Sequence, residues 1–304
     1  MANFIAKDIN DNLRIDPLDF VADCCHAYVE KAEATAFRIL KPGKKILMLA
    51  GPSASGKTTT AKLLSQWVQK QGGKAVIVSL DDFYLPDLSQ YPLDSKGNPD
   101  FETVEALDLP LMEQCFLQLI EKGECRLPIF DFETHARSKE ENRVDLGKDG
   151  VLIVEGLHAL NPLITRNLPD EVMAKLYVSV SSRVYDEDGN RLLGRRDLRL
   201  LRRTMRDVRY RSFSAVDTFG RWDSVAAGEN RYLFPYEVFA DEKLDSFHPC
   251  EPCLAAGEAV ELLKETAGTP FEKKAERLIQ SLSAFTPMQG EDLPAVSLLH
   301  EFLG

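Results

Sequence analysis

Short apolar runs alternate along this chain with longer stretches in which apolar residues return every three or four positions. Residues 46–50, 74–79, 151–154 and 174–180 are short runs made mostly of Val, Ile, Leu, Met and Ala, read as buried strands. Between the first two, residues 59–70 carry Ala61, Leu64 and Val68 at helical spacing and stop at Gly72-Gly73. Residues 101–122 repeat the pattern through Leu107, Leu111, Cys115 and Leu119 before Gly123. Strand followed by helix, repeated, predicts an α/β fold with a parallel sheet flanked by helices.

Both ends lie outside this alternation. Asp16-Pro17 has the form of a helix cap, and Leu18, Val21, Cys25, Tyr28, Ala32 and Ile39 then make one amphipathic helix closed by Lys41-Pro-Gly43. Residues 255–265, 271–282 and 294–302 read as closing helices, divided by Gly268-Thr-Pro270 and Thr286-Pro287. Residues 85–100 read as a proline-punctuated loop, and residues 218–249 as aromatic-rich and irregular. The expected organisation is a helical extension over 1–43, a main domain over 44–255, and a second helical extension over 256–304.

The most informative stretch is Gly51-Pro-Ser-Ala-Ser-Gly56-Lys57-Thr58, between the first strand and its helix. It fits the phosphate-binding loop pattern, whose small residues let backbone N–H groups converge on phosphate oxygens. Lys57 supplies a point charge, Thr58 a hydroxyl for Mg²⁺, and the helix behind them its positive end. Gly51, Ser53, Ala54, Ser55, Gly56, Lys57, Thr58 and Thr59 are therefore expected to bind a nucleoside triphosphate. The fold class narrows to a P-loop NTPase-type sheet.

With 304 residues and a net charge of −11, the surface as a whole does not suit nucleic acid or an anionic membrane. No apolar run nears the roughly 18 residues of a membrane span, and the first residues lack a signal-peptide core, so a cytoplasmic location is expected. The six cysteines do not read as a disulfide framework in a chain this long. Cys250 and Cys253 resemble half a zinc site without a second half, and a proline-rich loop with two thiols is the better reading. Self-association into a homo-oligomer is left open.

Two acidic positions follow strands. Asp81 in Leu80-Asp81-Asp82-Phe83-Tyr84 would face the phosphate loop from the carboxyl end of the second strand, placed as a catalytic base. Glu155, closing the third strand, suggests a partner for Mg²⁺. Nine arginines lie within residues 191–211. Helical spacing puts Arg195, Arg199, Arg202, Arg206 and Arg209 in one stripe, read as a phosphate-clamping lid over about 185–235. Residues 128–137 mix aromatics with His135 and Arg137, a mixture that can stack on a planar ligand and bond its edge.

Taken in order, these motifs resemble the uridine kinase and phosphoribulokinase family of P-loop kinases, over roughly residues 44–255. The resemblance implies Mg²⁺-dependent transfer of the ATP γ-phosphoryl group to the 5′-hydroxyl of a nucleoside. It implies Asp81 as base, with Lys57 and Arg206 also catalytic, Thr58 and Glu155 at magnesium, and Arg202 at ATP. Tyr84, Glu102, Phe130, His135, Arg137 and Arg211 would hold the acceptor. Two positions depart from the uridine-cytidine pattern: Phe130 stands for a tyrosine, and Glu102 for a ribose-binding aspartate. Pantothenate, glycerate or a sugar phosphate are alternative acceptors. A nucleotide switch or transport ATPase is the reading from another class; neither the N-K-x-D nor the L-S-G-G-Q motif such proteins carry is present.

Overall fold

In the computed structural model, which describes residues 2–93, 97–131, 134, 136–147, 150–290 and 293–303, five strands form the central sheet. They are β1 (Ile46–Ala50), β2 (Ala75–Ser79), β3 (Val151–Glu155), β4 (Met173–Ser179) and β5 (Glu242–Asp245), in the order β5-β4-β1-β3-β2 with each neighbouring pair parallel. β1 is central and wholly buried, pairing Met48 with Val154 on one side and Leu49 with Leu176 on the other. A strand enclosed on both faces needs an unbroken apolar run, which is what the sequence supplies there.

Successive residues of β1 serve opposite layers. Leu47 and Leu49 join one core with Ile153, Leu176 and Val178, while Ile46, Met48 and Ala50 join another with Leu152, Val154 and Tyr177. The first core is closed by α1 (Ala6–Ile15), α2 (Pro17–Ile39), α3 (Lys57–Lys70), α5 (Arg195–Tyr210), α7 (Glu251–Lys264) and α8 (Glu272–Leu282). The second lies under α4 (Leu109–Lys122). Both terminal segments thus share a core with the sheet. Tyr28 of α2 reaches Thr60 of α3 at 2.6 Å, tying the N-terminal helix to the helix behind the phosphate loop.

Several elements differ from the sequence expectation. α2 begins as expected, with the Asp16 carboxylate accepting from the Leu18 and Asp19 N–H groups, but a further helix, α1, precedes it. α4 starts at Leu109 rather than near 101, because Asp108 caps it and Pro110 fits its first turn. The stretch expected to be irregular holds α6 (Ala215–Tyr232), capped by Ser214 and Asp217, and the edge strand β5. Of the third closing helix only the turn His300–Leu303 forms, after a loop packed on the protein. All six cysteines are free and buried. Among the described residues, no helix is long and apolar enough to cross a membrane, and no cluster of three or more His, Cys, Asp or Glu could cage a metal.

Candidate active site

The carboxyl ends of β1, β2 and β3 open onto one cleft of about 310 Å³. Ser53, Ala54, Ser55, Gly56, Lys57 and Thr58 form one wall. The loop holds its shape through close backbone contacts and left-handed residues. A Cβ on Gly51 would lie 2.2 Å from the Val178 carbonyl oxygen, so only glycine lets the loop leave β1 beside β4. Ala54 (φ +56°) and Gly56 (φ +87°) put two left-handed residues into the loop, the kind of backbone from which anion-binding concavities are made. Ser55 Oγ is buried there and has no hydrogen-bond partner among the described residues. An unused buried hydroxyl in a loop of this motif suits a phosphate oxygen.

Asp81 and Glu155 face this loop. Ser79 pairs with Glu155 in the register of β2 and β3, and Ser79 Oγ then accepts the Asp81 N–H at 3.3 Å, starting the turn that carries Asp81. Asp81 keeps solvent contact in the cleft but is enclosed by protein on its other sides. That enclosure pushes its carboxyl up, against the pull of Lys57 and Arg211. Glu155 is also raised by enclosure; Lys57 opposes the shift and Asp81 adds to it. Two carboxylates sharing one lysine leave negative charge that a divalent cation would relieve. Thr58, in the first turn of α3, lines the same cleft.

The arginine helix divides into two functions. Arg199 makes a bidentate pair with Glu229 at 2.5 and 2.7 Å, and Arg202 one with Glu251 at 2.6 and 2.7 Å, while also donating to the Ser246 carbonyl. Both are buried, and neither lines the cleft. The expected single stripe of phosphate-facing arginines is corrected accordingly: Arg199 and Arg202 point inward because carboxylates from α6 and α7 meet them there. Arg206, from the expected stripe, and Arg211, expected at the acceptor, do line the cleft, joined by Arg203; the buried carboxylate of Asp207 gathers Arg203, Arg206 and Arg211 at 3.2, 2.7 and 3.7 Å. Three cations on one anion leave net positive charge facing the phosphate loop.

Tyr84, Phe101, Glu102 and His158 line the same cleft. The Tyr84 hydroxyl donates to the Phe101 carbonyl at 2.9 Å, and the Tyr232 hydroxyl to Asp100 at 3.3 Å. Burial pushes the Glu102 carboxyl up to about 7, with Arg203 opposing and Glu229 reinforcing. Phe130 is buried, its ring centroid 5.3 Å from that of Tyr84, and does not line the cleft. Arg137 donates to Asp108 at 3.0 Å and to the Tyr84 carbonyl, also outside the lining. His135 falls outside the described residues. A larger groove of about 480 Å³ beside α4 carries none of these groups.

Four cleft residues escaped sequence reading. Arg203 was hidden among its neighbours, and His158 carried no motif signal. Glu229 accepts the Ser53 N–H at 2.8 Å while pairing with Arg199, so it props the phosphate loop from a segment read as irregular. Glu301, from the C-terminal turn, accepts the Thr59 hydroxyl at 2.8 Å and lies against its N–H at 3.4 Å. Leu298 packs so tightly on the loop that a Cβ on Gly56 would stand 2.4 Å from it. The chain's last turn is thus part of the phosphate end.

A parallel sheet whose central strand runs into a phosphate loop, with carboxylates and arginines around it, defines a P-loop phosphotransferase. The model of the phosphoribulokinase / uridine kinase family matches residues 46–241, and the chain belongs to that family. It is 29% identical over 202 residues to a uridine kinase of Bacillus licheniformis, covering 66% of this chain and 85% of the relative. A uridine kinase of Anoxybacillus flavithermus is 28% identical over 197 residues, 64% and 83% of the two chains. Among solved structures, D-glycerate 3-kinase from Cryptococcus neoformans aligns with 70% of this chain and 87% of its own at 21% identity and a TM-score of 0.44. The protein is an enzyme that transfers a phosphoryl group to a hydroxyl group.

Proposed function

We propose that the protein is an ATP-dependent kinase that phosphorylates the 5′-hydroxyl of a nucleoside of the uridine and cytidine type. The observation that carries this reading is the convergence of Asp81, Lys57, Glu155 and the Arg203–Arg206–Arg211 group on one phosphate loop. Similarity to bacterial uridine kinases supports the nucleoside as acceptor.

The reaction needs little covalent chemistry from the protein. The loop N–H groups and Lys57 hold the phosphates of ATP, with the Ser55 hydroxyl as a further donor. Thr58 and Glu155 would hold a magnesium ion arriving with the nucleotide, which would lower the charge repelling the acceptor. Asp81, directed at the same space, takes the proton of the acceptor hydroxyl as its oxygen attacks phosphorus in line; the bond to the ADP oxygen breaks. Its raised affinity for protons suits a base that must receive one. Arg206 and Arg211 neutralise charge on the transferring group. Glu102 and Tyr84 border the acceptor.

A second reading has a specific observation behind it. Phe130 and Arg137 do not reach the cleft lining, whereas Arg203 stands beside Glu102, an arrangement that also accommodates a small hydroxylated acid or sugar phosphate. Steady-state kinetics of the purified protein with Mg·ATP against uridine, cytidine, purine nucleosides, pantothenate, D-glycerate and sugar phosphates separates the two. Acceptor-stimulated ADP formation with uridine or cytidine is expected; stimulation confined to a non-nucleoside would overturn the nucleoside reading and leave the kinase.

A further inference from the structure

In the reaction proposed above the loop holds the donor's phosphates, and the donor's nucleoside needs a place of its own. Beside the first turn of α3 a second hollow, of about 330 Å³, opens between that helix and the C-terminal segment. It adjoins the cleft, since Thr58 and Glu301 line both. The groups that serve transfer, Lys57, Asp81, Glu155 and Arg206, line the cleft and not the hollow. Glu301 marks the junction. Its carboxylate accepts the Thr59 hydroxyl at 2.8 Å and lies 3.4 Å from the Thr59 N–H, donors at a helix N-terminus that an α-phosphate would also use.

Past the junction the lining changes character. Leu63 and Val296 give apolar surface, Val296 being 49% exposed, and Lys62 and Gln66 are exposed polar groups of the same lining. Lys62, one helical turn beyond Thr58, adds positive charge on the side where the phosphate chain would leave the loop. A flat heterocycle needs apolar surface for its faces and a hydrogen-bonding group for its edge. The Gln66 carboxamide offers a donor and an acceptor side by side, as the edge of an adenine does. The wall from the C-terminal segment is itself well fixed. Ser297 Oγ accepts the Leu299 N–H at 3.1 Å, His300 Nε2 lies 2.9 Å from the Pro294 carbonyl oxygen, and Leu298 and Leu299 are buried. The Phe302 ring lies under the Arg202 guanidinium, with 4.9 Å to the ring centroid. This wall stands beyond the family match, which ends at residue 241, so family membership does not supply it.

We propose that the hollow between α3 and residues 295–301 holds the base and ribose of the nucleotide donor, with Leu63 and Val296 against the base and Gln66 at its edge. The inference rests on the kinase reading above for the identity of the donor. It gives the C-terminal segment a part in binding: the phosphate loop meets the phosphates, and the chain's last turns meet the nucleoside. A compound with the phosphate chain and no nucleoside would use the loop without touching this wall.

The test compares full-length wild type, Gln66→Ala, Val296→Asn and the double variant by calorimetry with Mg·ATP and with inorganic tripolyphosphate, alongside the thermal midpoint. Each substitution is expected to raise Kd for ATP about fivefold, the scale of one hydrogen bond or of a partly buried valine. The double variant should raise it about 20-fold, with Kd for tripolyphosphate unchanged in all three. Turnover at saturating ATP should stay at the wild-type value, because none of these side chains lines the cleft. A folded double variant that binds ATP as tightly as wild type would overturn the proposal, as would equal weakening of ATP and tripolyphosphate. If wild type binds ATP but phosphorylates no acceptor, the kinase reading fails by itself, and the two binding constants still decide the place of the nucleoside. Wild type that binds no ATP overturns both.

Discussion

Two groups of residues around the cleft are built in opposite ways. At the phosphate end a single run, residues 51–58, supplies the N–H groups, the lysine and the threonine, and its shape follows from two left-handed residues and a glycine held against β4. At the acceptor end Tyr84, Phe101, Glu102 and His158 come from three segments, closed from behind by α6, whose Gly228 would place a Cβ only 3.0 Å from Glu102. A phosphate chain is the same in every donor and can be met by one local solution. An acceptor must be distinguished from its relatives, and on the proposed reading that recognition falls to groups from separate segments which the fold brings together. The difference predicts that changes at the first end alter rate, and changes at the second alter selection and stability.

The largest expected effect belongs to a residue that never faces the cleft. Arg202→Ala would leave Glu251 buried without its cation, a loss of about 3–5 kcal/mol of folding stability; urea titration measures it. Retained stability would show that the pair does not hold the arginine helix in place. Next comes Asp81→Asn, expected to lower turnover at least ~100-fold with the fold intact and ATP still bound. Because enclosure raises the Asp81 carboxyl, wild-type turnover should fall as pH drops through that raised value and recover above it. A pH-independent rate in the acid range would remove Asp81 from the role of base.

Glu102→Gln tests the acceptor end through stability. The folded protein holds the Glu102 proton up to about 7, against 4.5 ordinarily, so ionising Glu102 weighs against folding at higher pH and is without effect when both states are protonated. Relative to wild type, the glutamine variant should be stabilised at pH 8 by on the order of 2–3 kcal/mol. The difference should shrink as pH falls and vanish near pH 4. An equal shift at both pH values would contradict the burial account. The smallest effect is expected at Glu301, whose carboxylate occupies the Thr59 donors that a phosphate would also use. Glu301→Gln should tighten ATP binding about two- to fivefold, the scale of one charge at a helix N-terminus; calorimetry that finds weaker binding would make Glu301 part of the donor site.

Legibility in the sequence followed the same division. The four strands read from apolar runs match β1 to β4 within a residue or so, because a parallel sheet covered on both faces tolerates few polar residues. β5 was not legible: Glu242-Lys-Leu-Asp245 is an edge strand with a single buried residue, Leu244. The phosphate loop and the two carboxylates at strand ends could be read because their chemistry depends on short spacing. The arginines could not be apportioned, since helical periodicity gives a face without saying what meets it. Carboxylates far along the chain, Glu229 and Glu251, decide that Arg199 and Arg202 turn inward. Glu301 and His158 left no signal, as each matters only through a contact made in the fold.

The central claim is that the phosphate end drives transfer of a phosphoryl group to a hydroxyl held at the acceptor end. The most direct measurement is mass analysis of the products formed from uridine, Mg²⁺ and ATP labelled with ¹⁸O in the γ-phosphoryl group, by wild type and by Asp81→Asn. Label in uridine 5′-monophosphate, formed by wild type and nearly absent with the folded, ATP-binding variant, is the predicted result. Label released only as inorganic phosphate, at a rate indifferent to any acceptor and to Asp81, would contradict it.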